Sequence, residues 1–120
     1  MQHTFTQTLQ ITNEHTALAL GSGTLPVFAT PALVAFMENT ALQLLELPEE
    51  KTSVGTAIDV KHIKASPIGM VVRCTAEIES QEDRKYTFRI TVVDSNDTVV
   101  GTAIHERFVV DIERFMSRIA

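Results

Sequence analysis

Val27-Phe28-Ala29-Thr30-Pro31-Ala32-Leu33-Val34-Ala35-Phe36-Met37-Glu38-Asn39-Thr40-Ala41-Leu42-Gln43-Leu44-Leu45-Glu46-Leu47 is the only long stretch of this chain with a helical period. Thr30 can accept a hydrogen bond from a first-turn amide as the cap, and Pro31 at the first helical position loses only an N–H that would lack a partner. Pro48 ends the helix by biasing Leu47 away from the α region. On a wheel at about 100° per residue, Asn39, Gln43 and Glu46 share one narrow polar arc and nearly everything else is apolar. A helix of this kind is expected to be wrapped by the rest of the protein. Glu38 breaks the pattern, because its neighbours at i−4 and i+4, Val34 and Leu42, place it inside the apolar arc. It either snorkels from the rim of the stripe or is held by hydrogen bonds and a counter-charge, since a buried carboxylate without partners is expensive.

The remainder of the chain alternates with a period of two, the signature of half-buried strands. Before the helix, Thr4 to Ile11 places Phe5, Leu9 and Ile11 on one face, with Gln7 interrupting it. Asn13-Glu14 reads as a turn, His15 to Leu20 as a second short strand or an extended lead, and Gly21 to Pro26 as a loop delivering the chain to the helix. After the helix, Ser53 to Lys64 carries Val54, Thr56, Ile58, Val60 and His62 on one side. Met70, Val72, Cys74, Ala76 and Ile78 point inward from the next strand. Lys85 to Asp94 carries Tyr86, Phe88, Ile90 and Val92, and Ser95-Asn96-Asp97 turns into a last strand from Thr98 to Val110. Asp111 can cap a closing helix through Arg118, in which Ile112, Phe115, Met116 and Ile119 form one stripe. Strands segregated from one central helix imply an α+β domain whose curved antiparallel sheet wraps that helix. Its other face is left to solvent or to a second subunit, and a dimer joining edge strands would remove an exposed edge. A cone-shaped fold like that of the nuclear transport factors is the alternative, but those folds begin with helices and this chain begins with a strand.

Composition bounds the function. At 120 residues the chain is read as a single domain, 1–120, with a core that needs no staples. The formal charge of −5 argues against a general nucleic-acid binder. No stretch approaches the roughly 20 apolar residues of a membrane span. Met1-Gln2-His3-Thr4 lacks the basic and apolar regions of a secretory signal, and the single cysteine, Cys74, fits a reducing cytoplasm, so a cytoplasmic protein without membrane partners is expected. The scattered histidines give no metal-ligand spacing, and Gly21-Ser22-Gly23 lacks the lysine and preceding strand of a phosphate loop, so neither metal nor cofactor is expected.

His62 is the natural partner for Glu38, being the ionisable group on a largely apolar strand face; it is either a satisfied buried histidine or a general acid or base. His105 and Arg107 lie on one side of the last strand. Gly55-Thr56-Ala57-Ile58 recurs as Gly101-Thr102-Ala103-Ile104, too short for a repeat architecture, and a glycine within a strand marks a bulge or a close approach. For Gly101 a packing requirement is the simpler reading.

Val27 to Thr30, Met37-Glu38, Gly55 to Ile58 followed by Val60-Lys61-His62, and Gly101 to Arg107 together resemble the hotdog-fold thioesterases of the fluoroacetyl-CoA thioesterase type, over almost the whole chain after residue 25. The resemblance implies Thr30, Glu38 and His62 as the catalytic group, Gly55 as the residue whose amide faces the thioester oxygen, and Arg107 as support. It also implies an acyl-CoA substrate, with CoA entering only as part of it, and a homodimer with active sites at the subunit interface. The chemistry is coherent on its own terms: Glu38 attacks the thioester or activates water, His62 handles the proton, and Thr30 orients Glu38 or the water unless it is only the helix cap. The aromatic-rich lid of the fluoroacetyl-CoA enzyme has no counterpart in Gly21 to Pro26, which points to a different small acyl thioester. Lys61, Lys64 and Arg73 are available to a CoA diphosphate. A hotdog hydratase or dehydratase, or a module that binds acyl-CoA without cleaving it, are the alternatives.

Overall fold

In the computed structural model, which describes residues 3–120, five strands form one antiparallel sheet in the order β1-β3-β4-β5-β2. The strands are β1 (Thr4–Gln10), β2 (Lys51–His62), β3 (Val71–Glu82), β4 (Lys85–Val93) and β5 (Val99–Asp111). The long helix α2 (Thr30–Leu44) lies on one face, preceded by a single short helical turn, α1 (Ala17–Leu20), and the chain closes on α3 (Ile112–Ile119). Among the described residues no helix is long and apolar enough to cross a membrane.

Alternation sets the core. Val72, Cys74 and Ala76 of β3, with Phe88, Ile90 and Val92 of β4, are buried against Leu33, Met37, Ala41 and Leu44 of α2, as the periodicity predicts. Cys74 is core filling: burial pushes its thiol up to about 11, far from a reactive thiolate. Gln7, the polar break in β1, is satisfied by the polar arc of α2. Its Nε2 donates to Asn39 Oδ1 at 3.0 Å and Thr40 Oγ1 at 2.8 Å, and its Oε1 accepts from Gln43 at 3.0 Å. The opposite sheet face is polar, with Thr6 bonded to Thr75 and Arg89 paired with Glu79. Gly101 is where α2 presses on the sheet: a Cβ there would lie 2.9 Å from Leu33 Cδ2 and 3.0 Å from the Lys61 carbonyl oxygen.

Several expectations are corrected. The residues from His15 to Leu20 are not a strand: Asn13–His15 is a 3₁₀ turn, and Thr16 caps α1 by accepting from the Ala19 amide at 3.2 Å. The residue capping α2 is Ala29, without a side-chain cap, and Thr30 is already helical. Backbone bonds from Phe28 to Ser66 and from Ala29 to His15 hold the entry instead, freeing the Thr30 hydroxyl. The helix ends at Leu44 rather than Leu47, because Leu45 turns extended to bury its own side chain. Nor is α2 wrapped all round. Pro31, Ala35 and Leu42 are exposed in the single chain, with half-buried Val34 and Glu38 in the same stripe.

The sharpest correction concerns β2. A bulge between Gly55 and Ala57 shifts its register against β5, so Gly55 faces Arg107 across the ladder while Ile58 faces His105. Ser53 and Gly55 therefore share the helix side with Ile58, Val60 and His62, and Val54 and Thr56 do not. One extra residue reverses the parity of every position before it. Among the described residues no strand lies beside the outer edge of β2. In α3 the Asp111 cap is as expected, its carboxylate accepting from Arg114 N at 3.1 Å, but the Ile112, Met116 and Ile119 stripe is exposed.

Candidate active site

The five residues singled out fall into two groups within one chain. Thr30 Oγ1 lies 2.8 Å from His62 Nδ1, so the first residue of α2 meets the last residue of β2. Phe28 packs edge-on against the imidazole, their ring centres 6.2 Å apart, and fixes its plane. Burial holds the pKa of His62 below its ordinary 6.5, against a smaller opposing contribution from the backbone at Lys64, so the ring is neutral at pH 7. Either ring tautomer keeps that bond, the Thr30 hydroxyl donating to a bare Nδ1 or accepting from Nδ1–H. Nε2 is buried and has no partner among the described residues, an arrangement that is unfavourable unless something else supplies one. A cleft of about 330 Å³ adjoins the pair, lined by Phe28, Thr30, Pro31, His62 and Lys64 among others.

Glu38 is not the neighbour of His62 in this chain. It sits two turns along α2, about 12 Å from Thr30 by helical rise. Its neighbours are instead Gly55, His105 and Arg107. A Cβ built on Gly55 would lie 3.1 Å from Glu38 Oε2, 3.4 Å from His105 Cε1 and 3.5 Å from Arg107 Nη1, so all three converge on the one residue without a side chain. This group lines an open cleft of about 350 Å³ together with Ala35, Asn39 and Leu42.

Arg107 is buried, and its charge is held by hydrogen bonds. Nε donates to Ser53 Oγ at 2.7 Å, Nη2 to the Ser53 carbonyl at 2.8 Å, and Nη1 to His105 Nε2 at 3.2 Å. Burial lowers the Arg107 pKa from its ordinary value and the Glu38 charge opposes the shift, so the guanidinium stays protonated. His105, 1% exposed, donates from Nδ1 to the Ala57 carbonyl at 2.8 Å. Burial lowers its pKa as well, so Nε2 is a lone-pair acceptor. Ser53 and His105 are thus parts of the site that the sequence did not single out. Ser53 was hidden by the bulge; His105 was signalled only by lying on the same side as Arg107.

Two of the three basic residues considered for a diphosphate are already paired, Lys64 to buried Asp94 at 2.7 Å and Arg73 to Asp97 at 3.2 Å. Among the described residues no group of three or more His, Cys, Asp or Glu side chains is placed to hold a metal ion.

A family model described as fluoroacetyl-CoA-specific thioesterase matches residues 11–113. A fluoroacetyl-CoA thioesterase of Streptantibioticus cattleyicolor is 37% identical over 95 residues, which are 78% of this chain and 68% of that one. The crystal structure of the fluoroacetyl-CoA thioesterase FlK superposes with a TM-score of 0.92 at 31% identity, covering 99% of this chain and 95% of that one. A variant of FlK in complex with fluoroacetate and CoA gives 0.89 at 32%, covering 96% and 99%. A thioesterase superfamily member from Thermus thermophilus, 22% identical with a TM-score of 0.88 over 98% and 90% of the chains, shares the fold.

Proposed function

This chain belongs to the fluoroacetyl-CoA-specific thioesterase family, and on that premise we propose that it hydrolyses a small acyl-CoA thioester in a site assembled from two copies of itself. The observation that carries the proposal is the separation of the two groups: Thr30 with His62, and Glu38 with Gly55 and Arg107, each complete at its own end of α2 and β2. The unpaired β2 edge can join them. Antiparallel pairing of two β2 edges about a two-fold axis through Asp59, with the bulge residue left out of the register, sets Gly55 opposite His62 of the partner subunit. The bulge matters for this, since it puts Gly55 and His62 on the same, helix-facing side although they are an odd number of positions apart. The same pairing covers the exposed stripe of Pro31, Ala35 and Leu42 with the partner's helix.

In that arrangement the thioester carbonyl lies against Gly55, whose missing side chain admits it and whose amide serves the developing oxyanion. Such a donor is worth on the order of 3 kcal/mol of barrier. Glu38 takes the proton of a water that attacks the carbonyl carbon, or attacks that carbon itself to form an acyl-glutamate anhydride that a water then opens. In either route the C–S bond breaks and the products are the free acid and CoA. The neutral ring of His62 of the partner subunit takes up in turn the proton released by the water and returns it to the leaving sulfur, and Thr30 of the partner subunit orients that imidazole. Arg107 offsets the loss of hydration of the Glu38 carboxylate. No aromatic side chain stands in Gly21 to Pro26, which argues against selection for a fluorinated acyl group.

The test is free-thiol release from a panel of acyl-CoAs, fluoroacetyl-CoA included, with Glu38→Gln and His62→Ala beside the wild type. Turnover by the wild type and its loss in both folded variants supports the site. Binding of acyl-CoA without thiol release by the wild type refutes hydrolysis and leaves a carrier.

A further inference from the structure

We infer that His105 is a positioning residue that holds the Arg107 guanidinium beside Glu38 while keeping it from closing on the carboxylate. The inference rests on the reading of Glu38 as the reacting carboxylate, and its observations are independent of that reading.

A buried arginine next to a buried-edge carboxylate is expected to form a two-pronged ion pair, the strongest contact open to either. It does not do so here. No carboxylate oxygen among the described residues comes within 4.0 Å of an Arg107 nitrogen, although Nη1 and Glu38 Oε2 both approach the same point above Gly55. Three hydrogen bonds explain the restraint. Ser53 takes Nε and Nη2 through its hydroxyl and its carbonyl, which fixes one edge of the guanidinium plane. His105 Nε2 takes Nη1, the nitrogen that would otherwise turn to Glu38.

His105 can accept that bond because its own proton is placed elsewhere. Nδ1–H donates to the Ala57 carbonyl, which follows directly on the β2 bulge, and this leaves the Nε2 lone pair free for Arg107. The ring cannot drift, being almost fully buried with the Phe88 ring 6.1 Å away. The groups facing it are therefore Arg107 on its own strand, Ala57 on β2 and Phe88 on β4, with the charges of Glu38 on α2 and Glu106 on β5 acting at longer range. An attacking carboxylate needs a nearby positive charge that does not occupy its lone pairs, and an imidazole acceptor on Nη1 provides that condition.

The experiment compares His105→Gln with His105→Met. The two side chains have nearly the same length and volume, but only glutamine can donate to Ala57 and accept from Arg107 together. Each is made in the wild-type and Arg107→Met backgrounds. Steady-state thiol release is measured next to Glu38→Gln, with thermal melts to confirm folding. The methionine variant is expected to lose roughly tenfold or more in kcat with KM changed less than about threefold, and the glutamine variant to stay within about threefold of wild type. In the Arg107→Met background, His105→Met should cost little more, because its effect runs through Arg107. Equal losses for glutamine and methionine, or additive losses with Arg107→Met, overturn the inference. So does wild-type kcat in His105→Met while Glu38→Gln is inactive. If Glu38→Gln is fully active, the reading of the reacting carboxylate fails instead. Should the methionine variant not fold, glutamine decides alone: retained kcat supports the inference, and a loss beyond about tenfold refutes it.

Discussion

Gly55→Ala is the smallest perturbation that reaches the centre of the site. The added methyl carbon would sit 3.1 Å from Glu38 Oε2, 3.4 Å from His105 Cε1 and 3.5 Å from Arg107 Nη1. The last two are ordinary contacts, and both partners are anchored, His105 on Ala57 and Arg107 on Ser53. The 3.1 Å contact is too close, so the displacement falls on the Glu38 carboxylate, by a few tenths of an ångström. Misplacement of a reacting group by about 1 Å can lose on the order of a hundredfold in rate, so a loss of about tenfold in kcat is expected here. Stability should not fall, because Gly55 is not in the left-handed region and alanine suits an extended strand at least as well as glycine. Thiol-release kinetics and a thermal melt on the same preparation separate the two effects. A kcat within about twofold of wild type, with unchanged melting, would refute the confinement of Glu38 against Gly55.

Thr30→Val tests the same geometry at the other group. Since Ala29 and not Thr30 is the cap, melting should stay near wild type instead of dropping by the ~1 kcal/mol of a lost cap, while kcat falls because His62 loses its hydroxyl partner; the reverse pattern would restore the capping role. With the His62 pKa lowered by burial, kcat/KM should be flat at neutral pH and decline only as pH falls below the free imidazole value of about 6.5; an acid limb above pH 7 would contradict a neutral buried ring. Asp94 is held below the usual carboxylate range by the Lys64 bond first and by the Thr98 and Asn96 amides. Its contribution to stability is therefore present above the unfolded value of about 4 and disappears as pH drops through the folded one, so Asp94→Asn should lower the melting temperature at pH 7 and narrow its gap to wild type near pH 3. A gap that widens in acid would refute this sign.

Much of the architecture was legible because burial follows a period of two in these strands. Val72, Cys74 and Ala76, then Phe88, Ile90 and Val92, were assigned inward from alternation and are inward. Alternation failed where the backbone breaks it. The bulge between Gly55 and Ala57 moved Ser53 and Gly55 to the helix side; Gly55 marked a bulge or a close approach, but the alternation was carried straight through it. The reading of α2 as wrapped all round failed for a related reason. Its stripe of Pro31, Ala35 and Leu42 is apolar, yet the single chain leaves it uncovered, and a sequence does not say whether apolar surface is buried by its own chain or by another. The pairing of Glu38 with His62 was inferred from residue type. Helical rise alone separates Glu38 from Thr30, the residue to which His62 is bonded, by about 12 Å along the axis, which a wheel viewed down that axis conceals.

The central claim is that each site draws Glu38 from one subunit and His62 from the other, and subunit complementation tests it most directly. Glu38→Gln and His62→Ala, each inactive alone, are mixed in equal amounts under conditions that let subunits exchange, and thiol release is followed. A two-subunit site makes one intact site per mixed dimer, so with random exchange activity should rise to about a quarter of the wild-type rate. A site contained within one chain leaves both sites of the mixed dimer broken. Activity that stays at the level of the separate variants, with exchange verified by mass, would contradict the account.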